Sequence, residues 1–312
     1  RRRHWTDAAA EADIKGVGFG SGYGRLAWVE QLAHDKYDIL IYGVGGPVRD
    51  IRSRYEGVPW FSRDSFACGG PTFPVEIIDA VEAKTWDIIW NKGRGGKVRL
   101  TDPEGTDLSY TLWEDYFTGT WRVFTPKPLP GHLMGHPTPP LLEKEDACGV
   151  IAGTTNHASC PFPHIKVHLE RSTIVKIEGG GKYGDGWRAL MEETKDIKYP
   201  DYPGKGLFWL WEVAIGTNPK YRRPKNAFTM AVGGTMIERM RSGVIHCGLG
   251  TAHQSKSQDW AGKQGLPYGH MHVHLLFPTF ELTTKTGEKL TVIKDGRITA
   301  LDDPEVRKVA AK

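Results

Sequence analysis

The sequence contains little cysteine and no long apolar run, and both absences narrow the class of protein. Its four cysteines are scattered and lack the Cys-x-x-Cys spacing of zinc and redox motifs; they are Cys68, Cys148, Cys160 and Cys247. Isolated cysteines of this kind favour reduced thiols, so we expect a cytoplasmic protein. No stretch approaches the roughly 18 consecutive apolar residues of a transmembrane helix, and the chain given does not start with an apolar signal segment.

A strong excess of one charge is also missing. The net charge is +4 over 312 residues, with acidic and basic residues interspersed. The single basic run, Arg1–Arg3, is expected to be a solvated tail, and no basic stripe alternates with aromatic residues. We therefore expect a small-molecule substrate, with neither nucleic acid nor membrane as a partner.

Glycine is abundant, at 38 residues, but its clusters do not form a dinucleotide-binding fingerprint. The cluster at 16–22 lacks a preceding apolar strand. The cluster at 43–46 has Val48 where the third glycine of G-x-G-x-x-G would stand. We interpret both clusters as turns and predict no nucleotide cofactor.

Helix-like and strand-like segments alternate in the first hundred residues. Segments 25–33 and 75–83 have helical spacing, whereas 37–42 and 86–90 resemble short buried strands. Such alternation is typical of an α/β domain with a parallel sheet. The polar, glycine-rich stretch at 91–96 then predicts a boundary between an α/β domain (1–96) and a larger second domain (97–312).

Short strand-like segments dominate after residue 97, with one clear helix at 187–194. The many prolines between 125 and 140 predict a stiff loop there. Asp303-Pro304 predicts the N-cap and first turn of a final helix. The second domain is therefore expected to be β-rich α+β, and it carries the residues that indicate metal binding.

Three histidines alternate with apolar residues between Tyr268 and Leu275. Strict alternation predicts a half-buried strand, and residues at i, i+2 and i+4 share one face of it. His270, His272 and His274 would then point the same way, with neighbours about 6.5 Å apart. Histidine is the commonest protein ligand of transition metals, so a metal site is favoured over a solvated polar face.

Two more polar residues stand inside apolar segments. Glu212 is the one charged residue of 207–215, and a buried carboxylate must be paired, metal-bound or protonated. His246 lies between glycines in a short apolar segment, 243–249. A salt bridge for Glu212 and a hydrogen-bonded core position for His246 are the structural alternatives to a shared site.

Three segments, in order, resemble the active-site series of a metallopeptidase family. They are Glu212-Val-Ala-Ile-Gly-Thr-Asn-Pro219, Gly243-Val-Ile-His-Cys-Gly-Leu-Gly250 and His272-Val-His274. The series is similar to that of the thermophilic aminopeptidases (aminopeptidase T/S, leucyl-aminopeptidase-like), whose superfamily also contains the iron-dependent 2,5-dihydroxypyridine 5,6-dioxygenases. The resemblance covers about the last two-thirds of the chain and implies a two-domain homo-oligomer with a metal site in the C-terminal domain.

The resemblance assigns roles, but acidic positions have become imidazoles. In the peptidases two ions are held by two glutamates, two histidines and an aspartate, and a tyrosine assists. Glu212 matches one glutamate, and His246 and His272 match the histidines. Histidines replace the other groups: His274 the aspartate, His253 the tyrosine and His132 the second glutamate. A neutral imidazole cannot bridge two ions as a carboxylate does, so one ion is expected.

These residues lead to three functional hypotheses. In each enzymatic one, His246, His272 and His274 are the predicted ligands of zinc or iron(II), with cobalt or manganese as further options. The first is an aminopeptidase-like hydrolase of a small peptide or amide, with Glu212 as general base. The second is a mononuclear non-haem iron dioxygenase that cleaves a hydroxylated pyridine or aromatic ring. The third is a ligand-binding relative without catalysis. His253 and His132 are the further predicted catalytic groups.

Overall fold

The computed structural model describes most of the chain after residue 74 and three short strands before it. The described residues are 4–5, 40–42, 60–62, 75–117, 132–136, 141–156, 161–219, 221, 237–251 and 256–312. The predicted segment 25–33 and the predicted catalytic residue His253 lie outside these residues.

Strands are the commonest element of this part of the chain. They are β1 (His4–Trp5), β2 (Leu40–Tyr42), β3 (Trp60–Ser62), β4 (Lys97–Asp102), β5 (Thr106–Thr111), β6 (His132–His136), β7 (Cys148–Gly153), β8 (Ile165–Glu170), β9 (Thr173–Gly179), β10 (Leu210–Gly216), β11 (Ile245–Gly250), β12 (Tyr268–Leu275), β13 (Thr279–Thr283), β14 (Lys289–Lys294) and β15 (Arg297–Ile298). The α-helices are α1 (Val75–Trp86), α2 (Gly181–Thr194), α3 (Lys256–Gln264) and α4 (Pro304–Ala310). None of these helices has the length and apolar character that a bilayer crossing requires.

The strands form two larger sheets. One has the order β1-β12-β11-β10-β6 and is antiparallel except at β1, which pairs parallel with β12. The other is antiparallel with the order β15-β14-β13-β4-β5-β7-β8-β9. The β-rich α+β character predicted for 97–312 is thus confirmed. In the predicted α/β region, β2 and β3 form a parallel pair.

The first sheet separates an apolar face from a polar one. Val213, Cys247 and Val273 are paired across β10, β11 and β12, and all three are fully buried. They belong to one core with residues of the second sheet such as Leu100 and Phe280. Because successive side chains of a strand point to opposite faces, the residues between them project away from this core. Those are the positions of the polar residues singled out in the sequence.

The predicted strand at 86–90 is wrong. Helix α1 reaches Trp86 and continues as a π-helix over Asp87–Lys92. Ile89 and Trp90 are fully buried, and the Trp90 indole N–H donates to the Met134 carbonyl at 2.7 Å. A short apolar run is compatible with either a buried strand or a buried helix, and here the helical core contacts decide.

The predicted loop at 125–140 contains a strand. Residues 132–136 lack proline, so they keep the backbone donors that pairing with β10 requires. β6 is the last strand in its sheet, which is where a proline-flanked segment can be accommodated. The side chain of His132 is not among those described.

Residues before the predicted boundary at 96 share the core of the residues after it. Val81 and Trp90 belong to the same cluster as Val98. Lys84 of α1 forms a 2.7 Å ion pair with Asp303, which also caps α4 by accepting the Glu305 N–H at 2.9 Å. The predicted N-cap is confirmed, and the division into domains at 96 stays a prediction.

Candidate metal centre

The register of three strands gathers the predicted site residues on one face. Glu212 on β10 is opposite Gly248 on β11, which is opposite His272 on β12. His246 lies two residues from Gly248 on the same strand and is opposite His274. Directly paired residues share a face, and so do residues two apart. The four side chains therefore converge although 62 residues separate the first from the last along the chain (274 − 212).

A bulge and a glycine shape the site. The pairing of β10 with β11 shifts by one residue between Leu210 and Glu212, a kind of irregularity that re-aims side chains. A Cβ added at Gly248 would lie 3.0 Å from Glu212 Oε2 and 2.9 Å from the Trp211 ring. Gly248 thus leaves room for the Glu212 carboxylate over the middle strand. The glycines that flank His246 in the sequence predict that other groups can approach this strand closely, and Gly248 is where the structure shows such an approach.

His246 is at the centre of the group. Its Nε2 is 3.1 Å from Glu212 Oε2, and its Nδ1 is 3.0 Å from His274 Nε2. Its ring stacks against that of His272, with centroids 4.4 Å apart. Glu212, His246 and His272 each offer one donor atom, and these atoms lie within 4.8 Å of one another.

Burial has the largest effect on the pKa of His246, ahead of the neighbouring charges of Glu212 and Arg239. His246 and His274 are fully buried, His272 is 3% exposed and Glu212 is 6% exposed. Burial lowers the pKa of His246 well below its ordinary value, although the neighbouring Glu212 carboxylate acts in the opposite direction. The neutral imidazole is the form that binds a metal ion.

The donor set fits one divalent transition-metal ion. Two imidazoles and one carboxylate are ligands that zinc and iron(II) accept. Among the described residues this is the one cluster of three such groups within reach of a common ion. A buried triad of one glutamate and two histidines could therefore bind a metal.

Two predicted site residues contact His246 from different sides. Glu212, predicted as a general base, lies within the donor group. His274, predicted as a ligand, contacts the opposite nitrogen of His246. These ligand assignments stay predictions, as do the roles of His253 and His132.

The contacts of Tyr183 and Trp211 with His272 were not foreseen from the sequence, whereas His270 was predicted on the same strand face. The Tyr183 hydroxyl accepts the His272 backbone N–H at 3.0 Å and donates to its carbonyl at 3.1 Å. The rings of Trp211 and His270 stand edge-on to His272, with centroids 6.1 and 5.0 Å away. Tyr183 lies on α2, 89 residues from His272, so no local pattern could reveal its contact.

Comparisons with known proteins give only distant similarity. No protein-family model matches the chain, and no curated protein matches it. A solved 2,5-dihydroxypyridine dioxygenase from Pseudomonas putida KT2440 is similar at 13% identity and a TM-score of 0.48, over 91% of this chain and 77% of that one. AmpT from Thermus thermophilus is similar at 14% identity and a TM-score of 0.43, over 84% of this chain and 76% of that one. At such identities and TM-scores neither similarity identifies the family or activity of this chain.

Proposed function

We propose that this chain is a metal-dependent enzyme that holds one divalent transition-metal ion at Glu212, His246 and His272 and hydrolyses a small peptide or amide. The observation that carries the proposal is the convergence of these three donors, within 4.8 Å of one another, on one buried face of the sheet. A buried carboxylate and two buried imidazoles are costly to desolvate, and a shared ion offsets that cost.

The number of carboxylates supports one ion over two. Two adjacent divalent ions repel each other and need anionic groups between them to offset the repulsion. Glu212 is the one carboxylate of the group. Its neighbours on β11 and β12 are imidazoles, and these are neutral when they act as ligands.

The residues of the site can share the work of hydrolysis. When bound, an ion of this kind polarises a carbonyl and lowers the pKa of a coordinated water to about 7. Glu212 has two oxygens, and Oε2 is the one that lies against His246. A carboxylate in this position can accept a proton from the attacking water as well as hold the ion. The resemblance of segment 212–219 to the peptidase series favours this reaction.

A second function, ring cleavage by a mononuclear non-haem iron dioxygenase, is favoured by the composition of the donor group. Two histidines and one carboxylate around open positions are the usual ligands of iron(II) oxygenases. In this alternative the ring of a hydroxylated pyridine or aromatic substrate would be held near Trp211 and His270, which flank His272.

Metal analysis of protein purified without added ions tests the proposed centre. We expect about one ion per chain, and no bound ion in His246→Ala or His272→Ala, because each variant removes one of three ligands. His168→Ala is the matched control: His168 lies on β8 of the other sheet, where it pairs with Glu178 at 3.2 Å. If both site variants kept stoichiometric metal, the proposed centre would be wrong.

Glu212→Gln separates a ligand from a general base. As a ligand, Glu212 contributes the one negative charge of the group, so we expect the amide variant to bind metal at least about tenfold more weakly. If Glu212→Gln kept the metal affinity of the wild type but lost turnover, Glu212 would be a general base and not a ligand.

The reaction is tested separately from the centre. Release of free amine from aminoacyl amides, with zinc, cobalt or manganese bound, would support hydrolysis. Oxygen uptake with dihydroxylated pyridines and benzenes, with iron bound, would support ring cleavage. Homo-oligomerisation and a cytoplasmic location stay predictions.

A further inference from the structure

We propose that His274 is a positioning residue that fixes the ring orientation and tautomer of His246 and is not itself a metal ligand. This inference rests on the proposed metal centre. It assigns His274 a role different from the ligand role that its place in the sequence suggests.

The contact between the two rings is direct and buried. His274 Nε2 is 3.0 Å from His246 Nδ1, and both residues are fully buried. The rings are inclined by 62° with centroids 5.1 Å apart. This is the geometry of one imidazole that bonds through its edge to another. His272 differs, because its ring stacks on that of His246 at an interplanar angle of 30°.

The two nitrogens of His246 face different partners. Nε2 faces Glu212 Oε2 at 3.1 Å, so an ion shared by Glu212 and His246 would use the lone pair of Nε2. The ring proton of a neutral His246 must then be on Nδ1, where it is donated to His274.

In this arrangement His274 Nε2, the nitrogen nearer to His246, is used as a hydrogen-bond acceptor. Nε2 accepts the proton of His246 through its own lone pair, and that lone pair is then not available to an ion. The ring proton of a neutral His274 is on Nδ1. Ligand histidines usually donate their second N–H to an acceptor that orients the ring, and His274 supplies the acceptor here.

The backbone holds His274 in place for this contact. Its N–H donates to the Thr155 carbonyl at 2.8 Å, which joins β12 to the segment after β7. The end of β7 also passes close to β12, since a Cβ added at Gly153 would lie 2.7 Å from Val273 Cγ1 and 3.4 Å from the His274 carbonyl oxygen. The backbone of His274 is therefore held from the side of β12 opposite β11.

Two variants distinguish positioning from ligation. His274→Leu removes the acceptor, whereas His274→Gln keeps an acceptor oxygen on a side chain of similar reach. Zinc affinity is measured by competition with a chelator, and the ligand field by the absorption spectrum of the cobalt-loaded protein. Thermal unfolding of the metal-free forms checks that both variants are folded.

We expect one ion per chain in both variants and an affinity about 10- to 100-fold weaker in His274→Leu, with most of the loss recovered in His274→Gln. The cobalt spectrum should keep the band intensities of the wild type, because the number of ligands is unchanged. Loss of stoichiometric metal in His274→Leu, as in His272→Ala, would overturn the inference in favour of ligation. Wild-type affinity in both variants would also overturn it. A wild-type chain that binds no ion would instead overturn the proposed centre.

Discussion

Two buried His–Glu pairs lie on opposite faces of the same sheet. His246 Nε2 is 3.1 Å from Glu212 Oε2, and His136 Nε2 is 3.3 Å from Glu145 Oε2. All four residues are at most 6% exposed. His136 is opposite Val213, which faces the core, whereas Glu212 faces away from it. Distance and burial alone do not distinguish the pairs.

The groups that surround each pair distinguish the two. The Tyr110 ring packs at a steep angle against His136, with centroids 5.1 Å apart, and the second oxygen of Glu145 accepts the Leu142 N–H at 3.3 Å. Around His246 two further imidazoles converge, and the lack of a side chain at Gly248 lets the Glu212 carboxylate lie close to β11. The additional imidazoles therefore distinguish the candidate metal site from a structural His–Glu pair.

The largest effect is expected from His136→Ala. It leaves the buried Glu145 carboxyl without its imidazole partner and opens a cavity against Tyr110, which should lower the free energy of unfolding by about 3 kcal/mol. Metal stoichiometry should not change, because His136 lies on the other face of the sheet. Denaturant unfolding and metal analysis of the same sample check both parts. If His136→Ala lost its metal at unchanged stability, His136 would belong to the metal site and would not be part of a structural pair.

A smaller effect is expected from the titration of Glu145. Burial raises the pKa of its carboxyl to about 8, so the folded chain keeps a proton that the unfolded chain releases near pH 4.5. The stability contributed by this group is complete below about pH 4.5 and is lost as the pH rises through about 8. Between about pH 6 and pH 8 the wild type should lose about 2 kcal/mol more than Glu145→Gln. Unfolding of the metal-free protein at several pH values measures the difference.

Glu143→Gln is the control for this experiment. Glu143 is an exposed carboxylate two residues away in the same turn, so its variant should follow the wild type. A Glu145→Gln profile parallel to that of the wild type would mean that Glu145 is ionised in the folded protein.

The smallest effect is expected from Gly248→Ala, which tests the space beside Glu212. The added methyl would lie 3.0 Å from Glu212 Oε2 and must displace the carboxylate, so metal affinity should fall about tenfold, or about 1.4 kcal/mol. Gly262→Ala is the control, because Gly262 lies in the last turn of α3 and the added methyl meets only the Tyr268 ring, at 3.8 Å. That variant should keep its metal and gain about 0.5–1 kcal/mol of stability. Equal metal affinity in the two variants would show that Gly248 is not needed for the site.

The site face was predictable because a strand has a period of two. The alternation at 268–275 predicted the strand, and the isolated polar residues Glu212 and His246 predicted partners for it. The sequence could not show which nitrogen of His246 meets which neighbour. That depends on the bulge at Trp211 and on the pairing of His246 with His274, both of which are set by the register of three strands.

Other errors have equally specific causes. The apolar run at 86–90 has no periodicity long enough to distinguish helix from strand, and contacts from β6 decided it. The strand at 132–136 was not predicted because the prolines lie on either side of it. The five residues between those prolines contain none. His136 and Glu145 are nine positions apart in the sequence, a spacing that neither the helical nor the strand period brings together.

The passage from β12 to β13 joins the two sheets through only three residues, 276–278. The Phe277 backbone N–H donates to Asp102 Oδ2 of β4 at 3.1 Å, so this link is anchored to the second sheet. Local unfolding of the eight-stranded sheet would therefore also disturb β12, which carries His272 and His274. An ion bound on that strand should therefore slow amide hydrogen exchange in β13 and β4 as well as at the site, and make the two sheets open as one cooperative unit.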